Sequence, residues 1–234
     1  MEWRDEGILL ALRRHGESAA VASVLTAGHG RHAGLIQGGF SARNRGALQP
    51  ANRLQVTWKA RLAEHLGNYS WELVEPHGGL WLSDPDRLAA LSSACALVEA
   101  TVPEREPHPE MFVLLSTLLT HLGDAGWQRL YVRWEIELLA ALGYGLDLGS
   151  CAVTGAKDDL AYVSPRSGQA VSRAAAGEWE SRLLRLPGFL QGRDEGAVAD
   201  GLALSGHFLE RWIFGPLGRP MPPARTRLVE RLRA

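Results

Sequence analysis

Between residues 54 and 62, LQVTWKARL, apolar and polar side chains alternate strictly. Leu54, Val56, Trp58, Ala60 and Leu62 fall on one face, and Gln55, Thr57, Lys59 and Arg61 on the other. That period of two belongs to a strand with one buried face. NYSWELV repeats it, with Tyr69, Trp71 and Leu73 on one side. GILLALRR and SAAVASVLT read as earlier strands joined by a turn at His15-Gly16-Glu17, and HAGLIQGG as a further strand that ends in glycines. Five short strands in about 75 residues, with no helix-length pattern between them, predict a small closed barrel. The pattern alone fits an OB-fold, and fits an SH3-like barrel almost as well.

The period changes at Ser83-Asp84-Pro85. Asp84 is a good N-cap and Pro85 suits the first helical position. Leu88, Leu91, Cys95 and Val98 then recur at helical spacing. A proline-broken connector, VPEREPHP, leads to the apolar PEMFVLLSTLLTHL. WQRLYVRWEIELLAALGYG follows, with Leu130, Trp134, Leu138 and Ala141 on one face and Gly143 and Gly145 as stop signals. Residues 150–176 read as irregular. Helical patterns resume over GEWESRLLRL and DEGAVADGLALSGHFLERWIF, and PPARTRLVERLRA closes the chain as a basic helix with Arg225, Arg227, Arg231 and Arg233. The expected plan is a β-barrel over residues 1–80 followed by an all-α helical domain over 81–234, with the irregular lobe 150–176 inside it.

Composition narrows the class. A chain of 234 residues supports one large domain or two small ones with an adequate core. No apolar run approaches the ~18 residues of a membrane span. The start, MEWRDEGILL, is acidic where a signal peptide is basic, so a cytoplasmic location is expected. Two cysteines, Cys95 and Cys151, make no disulfide framework and read as reduced thiols. The net charge of −1 hides an asymmetry: residues 1–61 hold nine basic side chains against four acidic ones, a local balance of +5 that leaves −6 for the rest. A basic segment on an acidic remainder points to a polyanion partner. The plainer alternative is that these charges are solvated and spread around the barrel.

The stretch GGFSARNRGALQP, residues 38–50, concentrates that signal with three glycines, two arginines and no acid. Glycines allow close backbone approach to a ligand, and arginine forks suit phosphate oxygens. GxxxxGK[ST] is absent, so nucleotide hydrolysis has no support. The candidate nucleic-acid-binding residues are Arg31, Arg43, Arg45, Arg53, Lys59 and Arg61 for phosphates, with Phe40 to stack on a base. Trp3 is a second stacking candidate, while Trp58, Tyr69 and Trp71 belong to the core. His29 and His32 have a metal-like spacing but no acid or thiol beside them, so they read as a turn. No nucleophile or metal-protease motif is present, and no enzyme activity is expected. Glu135 and Glu137 read as a solvated edge or ion-pair partners, and the terminal arginines chiefly as a solvated helix. The rival class is a protein–protein adaptor whose barrel binds a protein or peptide instead of nucleic acid.

Four stretches together carry a resemblance: DEGILLALRRHGESAAVASVLTAGHGRHAGLIQGGFSARNR, LQPANRLQVTWKARLAEHLGNY, WEIELLAALGYGLDL, and CAVTG with DDLAYVSPRSGQAV. In this order, and over nearly the whole chain, they resemble the RecO family of DNA repair proteins. The resemblance implies an N-terminal OB-fold that binds single- and double-stranded DNA, and a helical C-terminal domain. It implies a recombination mediator that anneals strands and, with RecR, helps RecA replace single-strand-binding protein. The helical domain would receive the acidic tail of single-strand-binding protein, for which Arg129 and Arg133 are the candidates. Many family members carry a zinc site of two CxxC pairs. Here CAVT keeps Cys151 but has Thr154, and SRAA puts Ser172 and Ala175 at the later thiolate positions. A structural zinc wants four N or S ligands. A degenerate zinc-knuckle-like lobe without metal or other cofactor is therefore expected, held by packing with Leu160, Tyr162 and Val171 inward.

Overall fold

The computed structural model describes residues 1–233; Ala234, the last residue of the expected second domain, lies outside them. Five strands, β1 (Glu2–His15), β2 (Ala19–Thr26), β3 (Gly30–Gln37), β4 (Arg53–Lys59) and β5 (Asn68–Glu75), close into a barrel in the order β1-β2-β3-β5-β4. Neighbours run antiparallel except β3 and β5, which meet in parallel at a single pair, Leu35 with Asn68. The first half of β1 pairs with β4 and its second half with β2; the register shifts between Leu9 and Ala11, where a bulge lets the strand bend. This is the five-stranded OB-fold, and the SH3-like alternative falls away. The fourth strand stops at Lys59, before the expected Leu62, which is 44% exposed. Lys59 already pairs with Glu2, and Ala60 donates to the carbonyl of Met1, so no β1 residue remains to pair with Arg61.

Alternation does place Leu9, Ala22, Val24, Ile36, Leu54, Val56, Trp58 and Tyr69 in one core, joined by Leu48 from the 38–52 loop. Gly34 lies under the Tyr69 ring, where an added Cβ would sit 2.5 Å from Cδ2. Ile8, Leu10 and Leu25 have the opposite parity and are buried too. After the short α1 (His77–Leu80), helices α2 (Pro85–Thr101) and α3 (Pro109–His121) cover that flank of β1 and β2. Asp84 caps α2 by accepting from the backbone N–H groups of Asp86 and Arg87, at 3.2 and 3.0 Å.

By their contacts the residues form two compact units, Met1–His121 with Pro222–Leu228, and Leu122–Met221 with Val229 onward. The second unit begins with α4 (Trp127–Ala141), which stops at Gly143 with φ +87°. Its lobe is more regular than expected. The strands β6 (Leu160–Val163), β7 (Ala170–Ser172) and β8 (Leu184–Arg185) form a sheet in the order β7-β6-β8, with the short α5 (Arg173–Ala176) after β7. GEWESRLLRL is a 3-10 turn followed by β8, not a helix, because Leu184 and Arg185 pair with Val163 and Tyr162. Then come α6 (Val198–Phe208), a π-helical turn over Leu209–Phe214, and α7 (Pro223–Arg233). Glu135 corrects its sequence reading: it is fully buried and accepts from the Ser205 hydroxyl of α6 at 2.5 Å, whereas Glu137 is exposed.

The lobe does not fit zinc. Cys151 Sγ accepts from the backbone N–H of Ser172 at 3.3 Å, so a serine backbone faces the thiol where a second thiolate would be needed. Among the described residues no group of three or more His, Cys, Asp or Glu is placed to hold a metal. Burial pushes the Cys151 thiol up, but hydrogen bonds from Ser172 and Thr154 outweigh it and bring it down to about 6. The lobe closes instead through Ala152 N–H to Ala170 O (2.8 Å) and Tyr162 O–H to Glu180 (2.6 Å), over buried Leu160, Tyr162 and Val171. No described helix is long and apolar enough to cross a membrane.

Candidate nucleic-acid interface

The loop after β3 is built from its own sequence. Gly38, at φ +65°, starts a turn, and its carbonyl accepts from Ser41 N–H and the Asn44 amide. Two further turns follow, with Asn44 O accepting from Leu48 N–H at 2.9 Å and Arg45 O from the Gln49 amide at 2.9 Å. Leu48 anchors the loop in the barrel core. Asn52 pins its end, donating to Ala47 O at 2.8 Å and accepting from Gly78 N–H at 2.7 Å. Arg43 and Arg45 are exposed on this framed loop, with no carboxylate partner among the described residues.

The other candidates divide. Phe40 is half-buried rather than free, because the Arg14 guanidinium lies over its ring, 4.6 Å from the centroid. Arg14 and Phe40 thus meet where the β1–β2 turn adjoins the end of β3, since His15 and Gln37 both pair with Ala19, and Arg43 and Arg45 follow on the same loop, Arg43 toward the β3–β5 seam. Arg31 is tied to the flank: its Nε donates to Val102 O at 2.8 Å and Glu104 lies 3.9 Å away. Arg53 is paired with Glu6 and lies 3.5 Å from Glu75, above the Phe112 ring. Lys59 is exposed but 3.1 Å from Glu2, at the far end of β1 from Arg14, and Arg61, beyond that end, is exposed with no carboxylate partner among the described residues. A solvent-exposed ion pair is worth only about 0–1 kcal/mol. Even so, a phosphate reaching Arg53 would have to displace two acids, whereas none stands at Arg43 or Arg45.

Beside the loop lies a cleft of about 550 Å³ along the β3–β5 seam, lined by Gln37, Arg43, Asn44, Asn68, Ser70 and half-buried Trp71, among others. No acid lines it. Trp71 keeps its core role on one side and reaches the cleft with the rest. Trp3 is unavailable for stacking: its ring is stacked on His29 at 4.1 Å and packs beside His32 and Trp58. His29 in turn contacts Asp5 at 2.9 Å, so the His29/His32 pair serves an aromatic cluster. Burial pulls His32 below its ordinary value and pushes the Tyr69 phenol up.

In the second unit, Arg129 of α4 pairs with Asp194 and lies over the Phe189 ring, and Arg133 donates twice to Phe189 O, at 3.2 and 2.8 Å. Both hold the Phe189 segment; Arg133 remains exposed.

Comparison with known proteins agrees with this architecture. Residues 1–77 match the family model for the N terminus of recombination protein O, and residues 82–220 that for its C terminus. The chain is similar to a protein of Rhodospirillum centenum, 54% identical over 238 aligned positions, covering 100% of this chain and 95% of the relative. It is likewise similar to proteins of Rhodospirillum rubrum (52% identical; 100% and 97% covered) and Paracoccus denitrificans (51%; 100% and 97%). All three relatives are named DNA repair protein RecO.

Proposed function

The chain belongs to the RecO family of DNA repair proteins, and from that premise we propose that its barrel binds DNA along the loop that carries Phe40, Arg43 and Arg45, with Arg14 against Phe40. The observation that supports this most is the pair Arg43 and Arg45, exposed on a hydrogen-bonded loop with no acid among the described residues to neutralise them. Guanidinium forks there would grip phosphate oxygens, and Arg14 would add its edge while its face rests on Phe40. Arg61 and Lys59 would extend the track toward the other end of β1. Arg31 and Arg53 contribute little, because backbone and carboxylates already occupy them. Contacts of this kind are indifferent to sequence and serve single and double strands alike.

In this role the protein acts as a recombination mediator, not as an enzyme. Neutralising two strands at once lowers their repulsion and promotes annealing, and RecR and RecA are the partners expected downstream. Arg129 and Arg133 are the proposed contacts for the acidic tail of single-strand-binding protein. Such a tail would compete with exposed Asp194 for Arg129. The test is an anisotropy titration with a single-stranded oligonucleotide at low and raised salt. Binding that weakens steeply with salt is expected; no binding at low salt would favour a protein adaptor instead.

A further inference from the structure

The cleft along the β3–β5 seam has a chemistry that phosphate binding alone does not use. The single Leu35–Asn68 pair leaves the two strands open beyond it, and the 38–52 loop overhangs the gap. Its volume falls within the roughly 300–1,000 Å³ of small-ligand pockets. Trp71 supplies an aromatic surface that the core does not fully cover. The side chains of Gln37, Asn68 and Ser70 have no hydrogen-bond partner among the described residues, although they stand beside one another at the seam. Amide side chains carry both donors and acceptors, so they satisfy the edge of any base. Arg43 stands at the same cleft.

We propose that this cleft receives an unpaired base of single-stranded nucleic acid, stacked on Trp71 and edged by Gln37, Asn68 and Ser70, with Arg43 on the adjoining phosphate. The proposal rests on the DNA-binding function above and adds a preference to it. In a duplex the base faces are stacked and the edges paired, so no base enters the cleft unless it is flipped out. The arginine loop grips either form, while the cleft rewards only the single strand. A base held this way is withdrawn from pairing, so the strand must leave the cleft for annealing to finish.

The probes are an oligothymidylate and the same backbone with abasic residues, bound to wild-type protein and to Trp71→Ala, with duplex binding as the check on folding. Base–aromatic stacking is worth about five-fold to about 140-fold in affinity. Wild type should therefore prefer the oligothymidylate over the abasic strand by that factor. Trp71→Ala should remove the preference and leave duplex binding intact; Trp71→Phe should restore it. Equal wild-type binding of the two strands overturns the cleft proposal while leaving the phosphate grip standing. A preference that survives in a folded Trp71→Ala protein also overturns it, because the base then lies elsewhere. Failure to bind any strand removes both proposals together.

Discussion

Replacing Arg43 and Arg45 by alanine tests the loop quantitatively. Both side chains are exposed and neither supports the fold, so thermal stability should change by less than about 0.5 kcal/mol. The loop itself stays closed, because its turns use backbone carbonyls, Asn44 and Leu48. Each single-strand phosphate contact steepens the log–log salt dependence by about 0.7. If Arg14, Arg43 and Arg45 each hold one phosphate, the wild-type slope is about 2.1, and a fourfold rise in salt weakens binding about eighteen-fold. With only Arg14 left, the slope falls to about 0.7 and the same rise costs only about 2.6-fold. Fluorescence anisotropy across a salt series measures both slopes. A double variant that is folded and keeps the wild-type slope would refute the placement of DNA on this loop, and the phosphates would then have to lie on other basic residues.

Three further outcomes follow from the packing. Gly34→Ala should lose about 1–3 kcal/mol in urea unfolding, because the new Cβ meets the Tyr69 ring at 2.5 Å in a filled core; an unchanged midpoint would mean the barrel relaxes there. Stability should hold steady above about pH 6.5 and fall as the solution is acidified below it. The unfolded chain protonates His32 and His77 near 6.5, whereas burial holds both lower in the fold, so unfolding takes up protons. The loss is at most about 1.4 kcal/mol per pH unit for each histidine, and His32→Gln should flatten it; a rise in stability on acidification would contradict the assignment. Prolonged treatment with a zinc chelator should leave the melting temperature unchanged and metal analysis should find no stoichiometric zinc, whereas a large drop would show that the lobe around Cys151 is metal-held.

The barrel was legible because Leu54, Val56 and Trp58 alternate with polar neighbours, and a period of two needs no tertiary knowledge. Ile8, Leu10 and Leu25 show where that logic stops: they are buried on the outward face only because α2 and α3 cover it. Charge counting overstated the free cations for the same reason. Arg53 meets Glu6 and Glu75, and Arg31 meets Glu104, across separations that local pattern does not reveal. The reverse error hid Arg14, whose place beside the loop depends on Phe40, and Gln37, Asn68 and Trp71, which a parallel β3–β5 closure brings to one cleft. Glu135 did carry a signal, an acid inside an apolar helix, but its partner Ser205 lies 70 residues away.

Where single-stranded DNA touches the chain is the most direct test. Photo-crosslinking of the full protein to an oligonucleotide, followed by mass spectrometry of the peptides, should place adducts within residues 37–45 and 68–71. Adducts confined to residues 122–221, with none on the 38–52 loop or the β3–β5 seam, would contradict the account.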